Sequence, residues 1–562
     1  MTNDLAPAKP YGNWMWQRQL AHYPVGPRRY AYLGITVIAT VVLYYELYVQ
    51  GAVAINIMRD FGMSFTQYVW VAISSTIAGA LASVAAGLAD RWGRANLVVA
   101  GLFSSGLLVL VGLPHASNKT AYMVIFALLG VVEGVTLVAT PALIRDFSPQ
   151  LGRASAMGFW ALGPVLGSLI VTEVSSSTLD SHPSWQFQFY VCGVAGLIVA
   201  AIAFIGLREL SPRLRDQLMV SMNDRLLIEA RAAGIDPEAA LKGGWRQMLK
   251  FDIVGSALAI SLFLMFYYIL VSFVIVYFAT IFGYSEARAN ALGNWYWITN
   301  VIALVLAGAL SDKLRVRKPF MAVGTVISMI GTGIFAVLAT KPATSYYTFA
   351  VVFVVIAIGV AMTYCAWMAS FTETVERHNP AATATGLAVW GGTLRAFITV
   401  ALIVFAAALP ATSVLVDRGP QVTALAAKYH DQIATATAVS PVALASLQKN
   451  PADPAAGAAA VGDLMKAGLA SDPQAAVSRL TQLATRPIPA ADAQYLAAHG
   501  AEVQQAAKDS PRQWQRWWWI CFACQVLFLP FLFIIGGRWS PARAREDAEQ
   551  HEALVQRELA TL

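Results

Sequence analysis

The stretch Ala86-Gly87-Leu88-Ala89-Asp90-Arg91-Trp92-Gly93-Arg94 follows a long run without a charge, and it packs one acid, two arginines and two glycines into nine residues. Such a cluster cannot sit in hydrocarbon, so it reads as a tight polar turn between two membrane helices. A second version stands 222 positions later as Gly308-Ala309-Leu310-Ser311-Asp312-Lys313-Leu314-Arg315. Around the two copies runs a chain of 562 residues, 57% apolar and 13% charged. A soluble protein carries about 25% charged residues, so the composition is that of a polytopic membrane protein. The net charge of +7 invites a nucleic-acid reading, which the placement of the basic residues excludes.

Apolar runs of roughly 20 residues, the length that crosses a bilayer, fall at about 30–55, 64–89, 96–113, 121–144, 154–176 and 187–207. Six more follow at about 253–280, 289–310, 319–340, 346–371, 382–408 and 517–537. Twelve spans place both termini on one side. With the N-terminus cytoplasmic, the cytoplasmic segments hold 25 of the 39 Lys and Arg. The short outer loops hold four: Arg59, Lys119, Arg288 and Lys341. That asymmetry orients the chain N-in and C-in across the cell membrane. No cleavable signal is expected, because residues 1–29 lack an apolar core.

The halves read as copies. Gly158-Phe-Trp-Ala-Leu-Gly163 opens the fifth span and Gly386-Leu-Ala-Val-Trp-Gly391 the eleventh. Ser211-Pro212-Arg213-Leu214-Arg215 follows the sixth span, and Ser540-Pro541-Ala542-Arg543-Ala544-Arg545 the twelfth. With the paired turns, these features argue for a parallel duplication of six helices and a binding site where the halves meet. The two turns resemble the loop signature that the major facilitator superfamily carries after its second and eighth helices. The first copy departs from it at Ala86, where a glycine is usual, and at Ala95, where a basic residue is usual. The resemblance covers about 450 residues. It implies an all-α fold of twelve transmembrane helices in two six-helix bundles, working by alternating access. The gating motif is then Asp90, Arg91, Gly93, Arg94, Asp312 and Lys313, with Asp90 seated at the N-terminus of span eleven. Arg91 is expected to reach Asp146 at the end of span four, and Asp312 to serve span five likewise.

The expected organisation is a cytoplasmic segment at 1–29, an N-terminal bundle at 30–207 and a cytoplasmic linker at 208–252. Helices seven to eleven follow at 253–408, an extracytoplasmic insert at 409–513, helix twelve at 514–537 and a cytoplasmic tail at 538–562. In the linker, Asp224-Arg-Leu-Leu-Ile-Glu-Ala-Arg reads as an amphipathic helix and Asp236-Pro237 as a helix start. The insert holds 28 alanines, eight acids and eight bases. Asp453-Pro454 and Asp472-Pro473 read as helix starts, so a small helical cap is expected there, as a lid or a docking point for an extracytoplasmic partner. Trp514, Trp517, Trp518 and Trp519 mark re-entry through an aromatic interface belt.

Three charges stand deep within the spans: Glu46 in the first, Glu133 in the fourth and Arg395 in the eleventh. An intramembrane charge costs a few kcal/mol or more and marks a site by default; the bland alternative is a buried pair that only fixes packing. By the resemblance, spans one, four, seven and ten line the central cavity with eleven beside them. An acid then carries the coupling proton and Arg395 faces an anionic substrate, as in the family's organic-acid symporters. The favoured assignment pairs Glu133 with Arg395 and leaves Glu46 to titrate. Tyr45, Tyr267, Tyr268, Asn294, Trp297, Asn300 and Trp390 are further candidates for the substrate site.

Cys521-Phe-Ala-Cys524 lies within a hydrophobic helix and reads as packing rather than a metal site. No histidine falls in a span, no phosphate-cradling loop appears and no catalytic constellation is seen. The expectation is therefore a monomeric, non-enzymatic transporter with no cofactor and no metal, driven by the proton gradient. Its partners are a small molecule, protons and the bilayer. Gly163-Pro164-Val-Leu-Gly167 partly resembles the glycine-proline motif of the family's antiporters, with Phe159 where the upstream glycine is expected. That keeps open proton-driven export of an amphipathic compound, and a non-transporting sensor is the remoter alternative.

Overall fold

In the computed structural model, residues 18–20, 22–84, 93–147, 153–211, 248–378 and 383–543 are described, with 545–546, 549–550 and 553–554 in the tail. Among these, eleven helices are long and apolar enough to cross a membrane. The first six spans of the fold are Pro27–Ala52, Phe65–Val84, Arg94–Leu107, Lys119–Asp146, Arg153–Thr178 and Trp185–Gly206. The third extends through a π turn at Leu108–Gly112, and the fifth is outside the eleven. The second six are Phe251–Phe282, broken at Leu264, then Glu286–Leu314, Lys318–Leu338, Tyr346–His378, Thr383–Ala408 and the latter part of Ala490–Phe528.

Local chemistry sets the ends. Pro27 starts the first helix, where its missing N–H is no loss. The Ser285 hydroxyl accepts from Arg288 N at 3.2 Å to open the eighth, and Gly283 closes the seventh in the left-handed region. Within the N-terminal half, span two packs on four, one on five and six, and three on four and six. In the second half, nine packs on ten, eight on ten and seven on eleven. The halves meet through spans five and eight, two and eleven, and one and seven. Missing side chains permit the closest approaches. A Cβ at Gly79 would lie 2.9 Å from the Gly130 carbonyl, and one at Gly167 2.7 Å from the Tyr44 Cβ.

The chain divides into two compact units, Met1–Ala408 with Arg512–Leu562, and Leu409–Pro511. The second unit is helical: Pro410–Asp417, Gly419–Lys428, His430–Ala438, Pro441–Lys449, Pro454–Lys466, Pro473–Thr485 and the beginning of Ala490–Phe528. Asp453 opens a helix by accepting from Ala455 N and Ala456 N at 3.0 and 3.2 Å. Asp472 does the same with Ala475 N at 2.8 Å. A small core of Val439, Ala443, Ala460, Leu464 and Ala476 holds these helices together. Alanine allows close packing but buries little apolar area per residue, which suits short helices.

Candidate functional site

Arg395 is half-buried in span eleven; Thr399 Oγ1 donates to its carbonyl at 2.9 Å, and no side chain forms a hydrogen bond or ion pair with its guanidinium among the described residues. Tyr44 of span one and Tyr268 of span seven lie within electrostatic reach of its guanidinium. Aromatic rings from both halves meet close by. Trp160 of span five meets Trp390 of span eleven edge-on at 6.4 Å, and Tyr44 at 6.5 Å. Tyr364 of span ten stands 6.4 Å from Trp390. On span seven Tyr267 meets Tyr268 at 5.2 Å and Trp297 at 5.5 Å.

The two acids stand elsewhere. Glu46 is fully buried inside the first half; its Oε2 accepts the Ser105 hydroxyl of span three at 2.5 Å, while Oε1 has no partner. Span six passes directly over it at Gly196, where a Cβ would strike Glu46 Oε1. Glu133, 2% exposed, has no partner on either oxygen. The expected Glu133–Arg395 pair is therefore not formed in this conformation. Tyr44 lies within electrostatic reach of both Arg395 and Glu133, and Glu133 within reach of Glu46.

Several other candidates turn out to tie helices. Asn294 Nδ2 donates to Glu173 Oε2 at 2.6 Å and to Ser176 at 3.2 Å, joining spans eight and five. Asn300 Nδ2 donates to the Ala357 carbonyl at 3.4 Å, joining eight and ten. Tyr45 lies within electrostatic reach of Cys192 of span six, with its hydroxyl unpartnered. Tyr44, its neighbour, faces the arginine instead, because adjacent helix positions differ by about 100°. Tyr44, Trp160 and Tyr364 were the aromatics missed in the sequence. A turn of aromatics on span one, Tyr44-Tyr45-Glu46-Leu47-Tyr48, was the signal, but it did not say which ring looks where.

At the end of the bundle nearer the termini, Asp90 and Arg91 lie outside the described residues. Asp146 is engaged by Arg94, whose Nη1 donates to both carboxylate oxygens at 3.0 Å. Glu209, just past span six, accepts from Arg94 N at 2.7 Å and so caps the start of span three, where Gly93 has φ 89°. The strand pair Gln19–Leu20 with Glu209–Leu210 fastens the N-terminal segment to the same place. Arg18 there donates to the last carbonyls of span six and covers the Phe204 ring at 4.4 Å. In the second copy, the side chains at the start of span five, which Asp312 is expected to serve, lie outside the described residues. Asp312 takes Arg317 Nη1 at 2.6 Å, Arg317 Nε reaches Glu373 at 3.1 Å, and Lys313 stays exposed. Arg315 adopts φ 54° to close the helix, which turns Arg317 back onto Asp312.

At the opposite end the halves are latched. Glu286, at the start of span eight, accepts from Ile55 N at 2.9 Å, Asn56 N at 3.2 Å and the Asn56 amide. These donors open the short helix Ala54–Phe61, so a carboxylate from one half caps a helix of the other. Asn290 adds a bond from Nδ2 to the Ala52 carbonyl at 2.9 Å, and Phe65 packs on Phe273 and Phe405 at 6.0 Å.

Comparison with known proteins agrees with this architecture. The chain is 25% identical over 291 residues to a probable nitrate/nitrite transporter of Mycobacterium tuberculosis, 51% of this chain and 66% of that one. It is 24% identical over 268 residues to sialin of Ovis aries, 45% of this chain and 51% of that one. It thus spans between half and two thirds of the length of these curated relatives. Among solved structures, the xylose transporter XylE from E. coli superposes with TM-score 0.53 at 14% identity, over 68% of this chain and 91% of that one. A bacterial homolog of the human lysosomal transporter Spinster superposes with TM-score 0.52 at 17% identity, over 92% and 100%. The model of the Major Facilitator Superfamily matches residues 36–400. A duplicated bundle with paired polar turns, matched over most of its length by that family, is a multi-pass membrane protein that belongs to the Major Facilitator Superfamily.

Proposed function

We propose that the chain is a proton-coupled symporter that takes up a small organic anion by alternating access, with its termini in the cytoplasm. The observation that carries this reading is the separation of charges: an Arg395 guanidinium without an ion pair among rings from both halves, and two acids without an ion pair buried within one half. Arg395 receives the anion. An ionised carboxylate without a cation beside it is costly in such surroundings, which favours protonated Glu46 and Glu133 in this conformation. Glu46 has the Ser105 hydroxyl to stabilise its ionised form and Glu133 has no such donor, which supports Glu46 as the group that cycles. Tyr44, in reach of both Glu133 and Arg395, is the element through which anion arrival and proton occupancy communicate. Glu286 and the Arg94–Asp146–Glu209 cluster are the two gates.

The test is transport in proteoliposomes under an inward proton gradient. Glu46→Gln should abolish pH-driven accumulation and spare exchange of substrate across the membrane. Accumulation against a gradient by Glu46→Gln would remove Glu46 as the proton carrier. Net efflux driven by inward proton flow would favour export instead.

A further inference from the structure

We propose that the anion received by Arg395 is an aromatic monocarboxylate, its ring lodged against Trp160, Trp390 and Tyr44. The proposal rests on the anion reading above and adds the chemical class. Three observations point to it. The first is charge: one cation stands here without a side-chain partner, so one negative charge is matched and a second would be left unmatched. The second is the supply of donors. The indole N–H groups of Trp160 and Trp390 are buried without an acceptor, and the guanidinium is likewise unengaged. Buried donors without acceptors are rare in finished structures. A carboxylate has about four lone-pair positions and can satisfy a guanidinium fork and further N–H donors together.

The third observation is shape. Trp160 and Trp390 cross at 84°, and Trp160 and Tyr44 at 71°. Rings so inclined present both faces and edges, the geometry in which a further flat ring is held well. They also come from spans one, five and eleven, on both sides of the duplication. A flat guest would therefore touch both halves at once, as an alternating-access substrate must. Nitrate would occupy the guanidinium and leave the rings unused. An aliphatic dicarboxylate would bring a second charge without a second cation.

The experiment is a binding series on the purified full-length protein, read by thermal stability and by tryptophan fluorescence, with benzoate, cyclohexanecarboxylate, benzamide, succinate and nitrate. Benzoate should bind about tenfold or more tighter than each of the others. Trp390→Phe, which keeps a ring and removes the N–H, should weaken benzoate by about tenfold and leave the unliganded melting temperature in place. Equal binding of cyclohexanecarboxylate and benzoate would overturn the ring assignment and leave the anion reading standing. Equal binding of benzamide and benzoate would overturn the anion reading itself. Binding of nitrate or succinate alone would overturn the aromatic class, and silence toward all five would overturn both.

Discussion

The two halves of the bundle share a plan and differ in what they bury. The first half encloses Glu46, Glu133, Ser105, Thr136 and Thr140, with helices brought close by Gly79, Gly130 and Gly134. The second encloses a continuous cluster of rings. Phe335 alone has six neighbours, Phe266, Tyr277, Phe278, Phe349, Phe353 and Trp518, with centroids between 5.0 and 6.2 Å. Its polar groups there are neutral, as where Gln525 Nε2 donates to Ser328 and Thr332 at 3.0 and 3.2 Å. The difference teaches how a duplicated fold divides labour. One copy can hold buried acids at a cost in stability, while the other supplies rigid apolar packing and carries Arg395. The second half also carries the helical insert, where the first half joins its fifth and sixth spans within residues 179–184.

The comparison can be broken most directly by measuring what each interior contributes. Phe335→Ala should destabilise the protein by about 3–5 kcal/mol, the usual cost of emptying a buried aromatic site. Glu133→Gln replaces an unpartnered acid with an amide of the same size, and should change stability by less than about 1 kcal/mol. Equal losses in a denaturant titration of the two variants would erase the distinction between a load-sharing half and a titratable one.

A smaller effect is expected where the halves touch. Glu286→Gln keeps the size of the latch and removes the charge that three donors of the first half engage. It should weaken closure by about 1–3 kcal/mol. A cysteine placed at the buried Ala52 should then react at least about fivefold faster with a membrane-impermeant thiol reagent. An unchanged rate would mean that aromatic packing at Phe65, not the carboxylate, keeps that end shut.

The smallest effect concerns the insert. Ala475 N–H and the Ser471 hydroxyl hold the Asp472 carboxyl below its ordinary range. A carboxyl lowered in the folded state stabilises above its unfolded pKa of about 3.9 and loses that contribution as pH falls through the lowered value. Amide exchange at the start of helix Pro473–Thr485 should therefore quicken below about pH 4, and Asp472→Asn should flatten the dependence. Exchange that stays slow in acid in the unmodified protein would show that packing, not the cap, holds that helix.

Much of this was legible in the sequence, and the boundary is physical. Span number, the duplication and the helix starts at Asp453 and Asp472 depend on composition and on contacts a few residues apart. So do the polar turns, because charge cannot remain in hydrocarbon. The faces of the spans were not legible. A helix with lipid on one side and protein on the other is apolar all round, so periodicity does not tell interior from exterior. For that reason Tyr45 rather than Tyr44 stood among the candidates, and Asn294 and Asn300 stood there although they join helices. Long-range pairing was decided only by the rotation and tilt of packed helices. Such packing brought Arg94 to Asp146, turned Arg317 onto Asp312 and set Glu286 on a helix 230 positions away. It also left Glu133 without Arg395. The sequence by itself determined that charges would be buried here, since their cost is a property of the residue and the membrane. Which charge meets which partner belongs to the tertiary structure, because carboxylates and guanidiniums pair only within about 4 Å and no local rule sets that distance.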